Sequence, residues 1–207
     1  DIVEEVARIY GFDNIIPAPT KVSLEPLVMN FERETEYKVK SMLAENFGMS
    51  EVHSYIWYDN KFNQEIGIGN LEGIKVLSPS APELADIRAC MAPTLLKFAN
   101  ENKKYYDTFG IFDVGSGGSV IDGKVEEHKE LGVLLASKAE GENDLFYRLK
   151  GILNHIVRVT KNVELTYLPM TEKTSWMNPV KTAKVMYGDV ELGYISVVHP
   201  PKSQAYS

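Results

Sequence analysis

The 207-residue sequence has one cysteine, no long apolar run and fewer basic than acidic residues. Cys90 cannot form an internal disulfide by itself, and no apolar run approaches the ~20 residues that a membrane-spanning helix needs. The 22 lysines and arginines against 29 aspartates and glutamates give a net charge of −7, which argues against a broad phosphate-binding surface. We therefore expect a soluble, cytosolic protein without a membrane partner.

What is present is a globular composition, with 44% hydrophobic and 25% charged residues. Three prolines, Pro17, Pro19 and Pro26, predict an extended linker at 17–29, because proline fits neither a helix interior nor a central strand. The linker divides a short first unit, 1–16, from the main module, 30–207. The sequence starts without methionine or a leader, so we expect a piece cut from a longer protein.

Apolar residues at helical spacing predict four helices. They span 1–10, ended by Gly11; 31–47, capped by Asn30 and ended by Gly48; a segment from Pro93 to about 105; and 144–159.

The helix at 31–47 has two distinct sides. Its apolar stripe, expected to face the core of the module, consists of Phe31, Val39, Met42, Leu43 and Phe47. A second set, Tyr37, Ser41 and Ala44, lies on roughly the opposite side, so we expect it to face another partner.

Strands are predicted at 51–58 (EVHSYIWY, covered on both faces), 74–77, 109–114, 130–136 and 163–168, and in TAKVMY and VELGYISVV. Gly188 and Asp189 join the last two as a hairpin. Strands outnumber crossover helices, which predicts an α+β fold with a mainly antiparallel sheet. The flanking helices are expected to lie on one side of this sheet.

The sequence shows no catalytic or metal-binding motif of known spacing. GSGGSV lacks the last glycine of G-x-G-x-x-G and the lysine of a P-loop, so we predict a loop or turn there. The four histidines (His53, His128, His155 and His199) and Cys90 lack metal-ligand spacing. Asp113 and Glu83 are isolated carboxylates, for which a solvated or hydrogen-bonded role is predicted.

Several stretches taken in order nevertheless resemble the beta subunit of bacterial-type phenylalanine-tRNA ligases. DIVEEVARIYGFDNI is similar to the end of the small domain before that subunit's synthetase-like module. ELADIRACMAPTLL, IFDVG, FYRLKG, NPVKTAKV and VVHP resemble later blocks, the first through Leu84, Arg88, Pro93, Leu95 and Leu96. The sequence departs from the family at Ala85, Cys90, Arg148 and Asn178, so no role is transferred to those four positions.

The resemblance implies a fold like the catalytic domain of class II aminoacyl-tRNA synthetases. A working class II site needs a motif-two arginine followed by an acid and a late glycine-rich arginine motif. Cys90 stands two residues after Arg88, where the acid is needed, and the tail HPPKSQAYS has no arginine. Without these groups to stabilise transition-state charge, we expect a catalytic-like scaffold without activity.

The acids Asp1, Glu4 and Glu5 share one face of the first helix, because they are spaced i, i+3 and i+4. From the residues alone, an ordinary solvated acidic first turn is favoured. The resemblance instead implies that they match carboxylates of a Mg²⁺ shared with the alpha subunit, with a further aspartate before residue 1. Oxygen ligands suit Mg²⁺; we expect the site to form in the intact complex only.

The predicted function is thus to support ATP-dependent attachment of phenylalanine to tRNA by an alpha subunit, through subunit assembly, with tRNA bound by the full complex. The alternatives are a divergent class II ligase active by itself and a stand-alone binding protein with this fold. Tyr37, Ser41 and Ala44 are predicted to face the alpha subunit, and the isolated chain to expose them or to form a homodimer through them.

Overall fold

A computed structural model describes residues 1–65, 73–82, 85–171 and 173–198 of the chain. The chain divides into two compact units, Asp1–Asn30 and Phe31–Ser207. Glu83, Leu84 and the tail from His199 onward, which entered the predictions above, lie outside the described residues. Among the described residues, none of the helices combines the length and the hydrophobicity that crossing a membrane requires.

The first unit consists of one helix, one turn and an irregular segment. Helix α1 spans Ile2–Tyr10 and ends at Gly11, whose φ of 88° is in the region that favours glycine and whose N–H donates to the Ala7 carbonyl. A 3₁₀ turn at Phe12–Asn14 follows, and residues 15–30 form neither helix nor strand. The predicted first helix is confirmed, and none of its residues is buried. The division into 1–16, 17–29 and 30–207 stays a prediction.

The second unit contains the strands. They are β1 (Ser50–Glu51), β2 (Ile74–Lys75), β3 (Asp86–Ile87), β4 (Thr108–Ile121), β5 (Lys124–Ser137), β6 (Thr166–Pro169), β7 (Met177–Tyr187) and β8 (Val190–Val198). They form three sheets in the described ranges, ordered β1-β4-β5, β2-β3 and β6-β7-β8. β1 runs parallel to β4, and all other named pairs are antiparallel. The mainly antiparallel prediction is confirmed, as is the β7–β8 hairpin at Gly188 and Asp189.

In the described part of the second unit, four helices flank the sheets. They are α2 (Phe31–Ser41, continued by a π-helical turn at Met42–Asn46), α3 (Asn60–Glu65), α4 (Ala92–Asn102) and α5 (Glu142–Lys161). Only α3 was not predicted. α4 starts with Pro93 in its first turn, where the missing N–H costs no hydrogen bond. α5 ends at Asn162, whose φ of 53° is left-handed.

Helices cover both faces of the sheet formed by β1, β4 and β5, so the prediction that they lie on one side is wrong. Successive strand residues point to opposite faces, and Ile111 and Phe112 are adjacent on β4. Phe112 packs with Leu43 and with Ile152 of α5, whereas Ile111 packs with Leu95 of α4. Both Phe112 and Leu43 are fully buried. The apolar alternation on β4 therefore divides the core into two layers.

The predicted strand at 51–58 is largely wrong. Only Ser50 and Glu51 pair with β4, and the Val52 N–H adds one hydrogen bond, to the Phe112 carbonyl. The chain then leaves that sheet and pairs instead with the segment 86–88, so the backbone groups that define a strand are satisfied elsewhere. Tyr55 is 83% exposed, which contradicts coverage on both faces.

The glycine-rich stretch GSGGSV is also not the predicted loop. It lies inside β4, which continues to Ile121 in unbroken register with β5. The turn comes later, at Asp122 and Gly123, which have φ of 49° and 75°. This Asp-Gly pair is a strong hairpin signal.

Helix α2 has the two predicted sides, with one correction. Met42 and Leu43 are buried in the core, whereas Tyr37 is 74% exposed and Ala44 is exposed as well. Phe31, which was assigned to the core stripe, is 65% exposed. It is the first residue of the helix, and the Lys161 ammonium lies over its ring, 4.0 Å from the ring centroid.

Candidate functional site

The arginine at the centre of the family resemblance, Arg88, follows β3 and is 1% exposed. Its Nε donates to the Ser116 carbonyl at 2.9 Å, and its Nη1 donates to Ser54 Oγ at 2.6 Å. Ser54 Oγ in turn donates to the carboxylate of Asp113, which is 4% exposed. A buried cation and a buried carboxylate are thus linked through a serine. This arrangement confirms a hydrogen-bonded role for Asp113.

The glycines of β4 give the Arg88 side chain its space. A Cβ on Gly115 would overlap the Nη2 atom of Arg88, and a Cβ on Gly118 would overlap Ile74. Side chains at these positions would therefore force Arg88 or Ile74 to move. The glycines of GSGGSV therefore allow neighbouring side chains to pack closely on β4, and they do not form a phosphate-binding loop.

Three successive backbone N–H groups before α4 are also bound by the chain itself. Tyr58 Oη accepts hydrogen bonds from the N–H groups of Ala89 and Cys90, both at 3.0 Å. Glu130 Oε2 accepts one from the N–H of Met91 at 2.9 Å. The N-terminus of a helix is a natural anion site, but these three N–H groups just before α4 are already bound by Tyr58 and Glu130.

Burial sets the protonation of the groups around this helix start. It raises the pKa of the Glu130 carboxyl, an effect that the Met91 N–H opposes. It also raises the pKa values of the Cys90 thiol and of the Tyr58 hydroxyl. The thiol is therefore protonated at neutral pH and a poor nucleophile.

Asp1, Glu4 and Glu5, the predicted metal ligands, lie at the start of α1. Glu4 Oε1 is 2.5 Å from Arg8 Nη2, and Glu5 Oε1 is 3.6 Å from Arg8 Nε. Their oxygen donors suit a hard cation such as Mg²⁺, but Arg8 already neutralises two of the three. In the described part of the chain, no group of three or more His, Cys, Asp or Glu side chains could hold a metal ion. Asp1, Glu4 and Glu5 alone are therefore not a formed site.

The positions that depart from the family pattern have structural contacts. Arg148 pairs with Glu140 at 2.9 Å. The Asn178 amide oxygen accepts the N–H groups of Val180 and Lys181 within β7. The Ala85 carbonyl accepts the N–H of Val76 beside β2.

Sequence reasoning identified Arg88, Asp113 and Cys90 but missed Ser54, Tyr58 and Glu130. No local pattern links Ser54 to Arg88 or Tyr58 to Cys90, because each pair is joined only by the tertiary fold. Glu130 offered one signal, since it directly precedes the apolar end of β5, where a buried carboxylate needs a partner.

Comparison with known proteins supports the sequence resemblance. The family model described as "Phenylalanyl tRNA synthetase beta chain CLM domain" matches residues 19–207. The phenylalanine–tRNA ligase beta subunits of Pectobacterium atrosepticum and Dickeya dadantii are 30% and 29% identical to this chain, each over 97% of it. The chain spans 26% of the length of each of these relatives.

A solved structure supports the fold. The pyrrolysyl tRNA synthetase of Desulfitobacterium hafniense superposes with a TM-score of 0.66 at 16% identity, over 84% of this chain and 61% of the other. The predicted class II synthetase-like fold is therefore confirmed.

Proposed function

Since the chain belongs to the phenylalanyl tRNA synthetase beta chain family, we propose that it is a structural, catalytic-like module of a phenylalanine–tRNA ligase. In this proposal the chain supports ATP-dependent attachment of phenylalanine to tRNA by an alpha subunit, through subunit assembly. The tRNA is bound by the complete enzyme, in the cytoplasm.

The state of Arg88 carries this proposal. A catalytic arginine must offer its guanidinium to a ligand, whereas Arg88 is buried and bonded to Ser116 and Ser54. The N–H groups that precede α4 are likewise bonded to Tyr58 and Glu130. Groups that could stabilise a phosphate are therefore used inside the fold.

Pyrophosphate exchange driven by phenylalanine and ATP tests the proposal. We expect no exchange above buffer, and no heat of binding for ATP in isothermal titration. An apolar cavity of about 410 Å³, between α4, α5, β5 and β8, is large enough to accept a small ligand. Phenylalanine binding there together with exchange would instead identify a ligase active by itself.

The exposed side of α2 is the surface that we assign to the alpha subunit. Tyr37 and Ala44 lie exposed there, opposite the buried Met42 and Leu43. Small residues allow a second helix to approach closely. Ala44→Glu is expected to block assembly while leaving the fold intact, because Ala44 contributes nothing to the core. Ala139→Glu, also at an exposed alanine, is the matched control.

Assembly is measured by size-exclusion chromatography with light scattering, for the chain alone and with the alpha subunit. A homodimer of the chain alone that Ala44→Glu dissolves would show that the same surface pairs two copies. Normal assembly of Ala44→Glu would place the interface elsewhere, and unfolding would show that Ala44 is a core residue.

We also propose that Asp1, Glu4 and Glu5 contribute ligands to a Mg²⁺ in the complete assembly. When bound, the ion would neutralise the acidic end of α1 and hold it to the partner. The double variant Glu4→Gln, Glu5→Gln should then reduce the Mg²⁺ dependence of assembly, whereas Glu25→Gln should not. An unchanged Mg²⁺ requirement would show that these acids are solvated surface residues and not metal ligands.

A further inference from the structure

A second cavity, which borders the Arg88 network at Ser54 but is separate from the surface of α2, lies beside α4. It has a volume of about 470 Å³, opens to the surface, and is lined by the segment 53–59, by α3 and by one face of α4. Trp57, Phe62 and Phe98 supply aromatic walls. Such a volume is within the range of small-ligand sites.

Backbone hydrogen bonds hold the wall that carries Trp57 in place. The Ile56 carbonyl accepts the N–H of Arg88 at 2.8 Å, and the N–H of Tyr58 donates to the Asp86 carbonyl at 2.9 Å. Trp57, between them, pairs with Ile87. The opposite wall is a helix face, since Thr94, Lys97, Phe98 and Glu101 follow helical spacing on α4. The cavity therefore exists without a ligand to form it.

One side chain that lines the cavity has an unused polar group. Asn63 on α3 is 5% exposed, and its backbone N–H bonds to the Asp59 carbonyl. Its side-chain amide has no hydrogen-bond partner among the described residues. An amide buried without a partner is unfavourable, and such exceptions in native proteins call for an explanation. A ligand in the cavity that bonds to this amide would supply one.

The charges around the cavity favour a cation. Asp59 Oδ2 is 2.7 Å from Lys97 Nζ, so the charges of these two residues cancel each other. The same contact lowers the pKa of Asp59 and keeps its carboxyl ionised. Glu101 adds an exposed negative charge. The residues at the opening of the cavity thus carry a net negative charge, which repels a phosphate and attracts a cation.

We propose that this cavity receives the side chain of an arginine from a partner polypeptide. A guanidinium is planar and weakly hydrated, so it stacks on aromatic faces such as that of Trp57. Its N–H groups can donate to the Asn63 amide oxygen, and its charge is matched by Glu101. A lysine ammonium is more strongly hydrated and lacks the flat shape. This proposal does not depend on the proposed function.

Titration of the ¹⁵N-labelled chain with N-acetylarginine amide, followed by NMR, tests the proposal. The Trp57 indole N–H should shift and saturate, whereas that of Trp176, which is buried in another cluster with Leu96, should not. N-acetylcitrulline amide, of similar shape but neutral, should bind about tenfold more weakly. Asn63→Leu and Glu101→Gln should each weaken binding about threefold or more, whereas Glu127→Gln, at an exposed acid on β5, should not.

Three results would overturn the proposal. Equal affinity for the citrulline probe would show that the charge is irrelevant. Saturable binding of adenosine without binding of the arginine probe would assign the cavity to a nucleobase. Absence of any shift, with Asn63→Leu more resistant to urea than the parent chain, would leave Asn63 as a hydrated core residue. If Asn63→Leu does not fold, Glu101→Gln still decides whether the cation is recognised, because Glu101 is exposed.

Discussion

Arg88 and the acids of α1 are the two sets of charged residues that the family resemblance singles out, and they have opposite environments. Arg88 is 1% exposed, and its backbone and side chain bond to β4 and to the segment 54–56. Glu4 and Arg8 have side chains that are each 57% exposed. The arginine is committed to the interior, whereas the acids of α1 remain accessible.

The difference shows how burial limits the use of a charged group. A buried charge is costly to desolvate, so each hydrogen bond that compensates it fixes its position and excludes an external ligand. An exposed ion pair is bound weakly and can be exchanged for a metal or a partner. The interior arginine therefore serves the fold, and the surface acids can serve assembly.

Arg88→Met should give the largest effect of the substitutions considered. It removes the cation but keeps much of the volume, and it leaves the buried Asp113 without the charge that reaches it through Ser54. We expect the free energy of unfolding to fall by about 3 kcal/mol or more, measured by urea denaturation.

Arg158→Met is the matched control, because the 3.5 Å pair of Arg158 with Glu164 is 67% and 85% exposed. Its loss should be below about 1 kcal/mol. Adding Asp113→Asn to Arg88→Met should recover part of the stability. Equal losses for the two arginine variants would mean that the interior network is not structural.

Alanine substitutions at one partly buried and one exposed glycine should change the stability by intermediate amounts and in opposite directions. Gly115→Ala places a methyl group where Arg88 Nη2 lies, so we expect a loss of about 1–3 kcal/mol in the free energy of unfolding. Gly151→Ala on α5 meets nothing within 4 Å and should gain about 0.5–1 kcal/mol, since alanine favours a helix. Two changes of the same sign, measured by thermal denaturation, would contradict this description.

Much of the fold followed from local patterns. The helices near Pro93 and in α5, and the hairpin at Gly188 and Asp189, were predicted because caps, spacing and turn residues are local signals. The strand at 51–58 failed because its backbone partners are set by tertiary structure. The stretch GSGGSV failed because glycine in a strand signals a close neighbour, Arg88, that is distant in sequence.

The candidate site was less predictable than the fold. The resemblance located Arg88 and the acids of α1. Only the tertiary fold brings Ser54 to Arg88, and Tyr58 and Glu130 to the residues before α4. Burial decides whether an arginine is available to a ligand, and burial depends on residues far apart in the chain.

Glu130 and Glu36 should give opposite pH dependences. Burial raises the pKa of Glu130, so between its unfolded value near 4.5 and its folded value the folded state holds more protons. Its contribution to stability therefore falls as pH rises upward from about 4.5. Hydrogen bonds from Lys129 and Lys40 lower the pKa of Glu36, so its contribution is lost as pH falls below that range.

Urea midpoints of Glu130→Gln and Glu36→Gln, measured against the parent chain from pH 3 to pH 7, test these signs. Relative to the parent, Glu130→Gln should gain stability as pH rises, because glutamine keeps an acceptor for the Met91 N–H without the charge. Glu36→Gln should lose stability over the same rise. Parallel curves would show that the environments of the two carboxylates do not differ as described.

Arg8→Gln should have the smallest effect, because it breaks only exposed pairs. The contact of Arg8 with Glu4 spans one helical turn, and such pairs contribute about 0.3–0.5 kcal/mol to a helix. We expect a slight loss of helicity confined to α1, seen in the Cα chemical shifts of residues 2–10 and diminished by 0.5 M salt, which screens surface charges. Lys38→Gln on α2, which breaks the 2.7 Å pair with Glu34, should be similarly mild. A shared Mg²⁺ at Glu4 and Glu5 requires that the Arg8 guanidinium can be displaced from these two acids. A loss in the free energy of unfolding for Arg8→Gln as large as that for Arg88→Met would show that Arg8 is instead a structural residue.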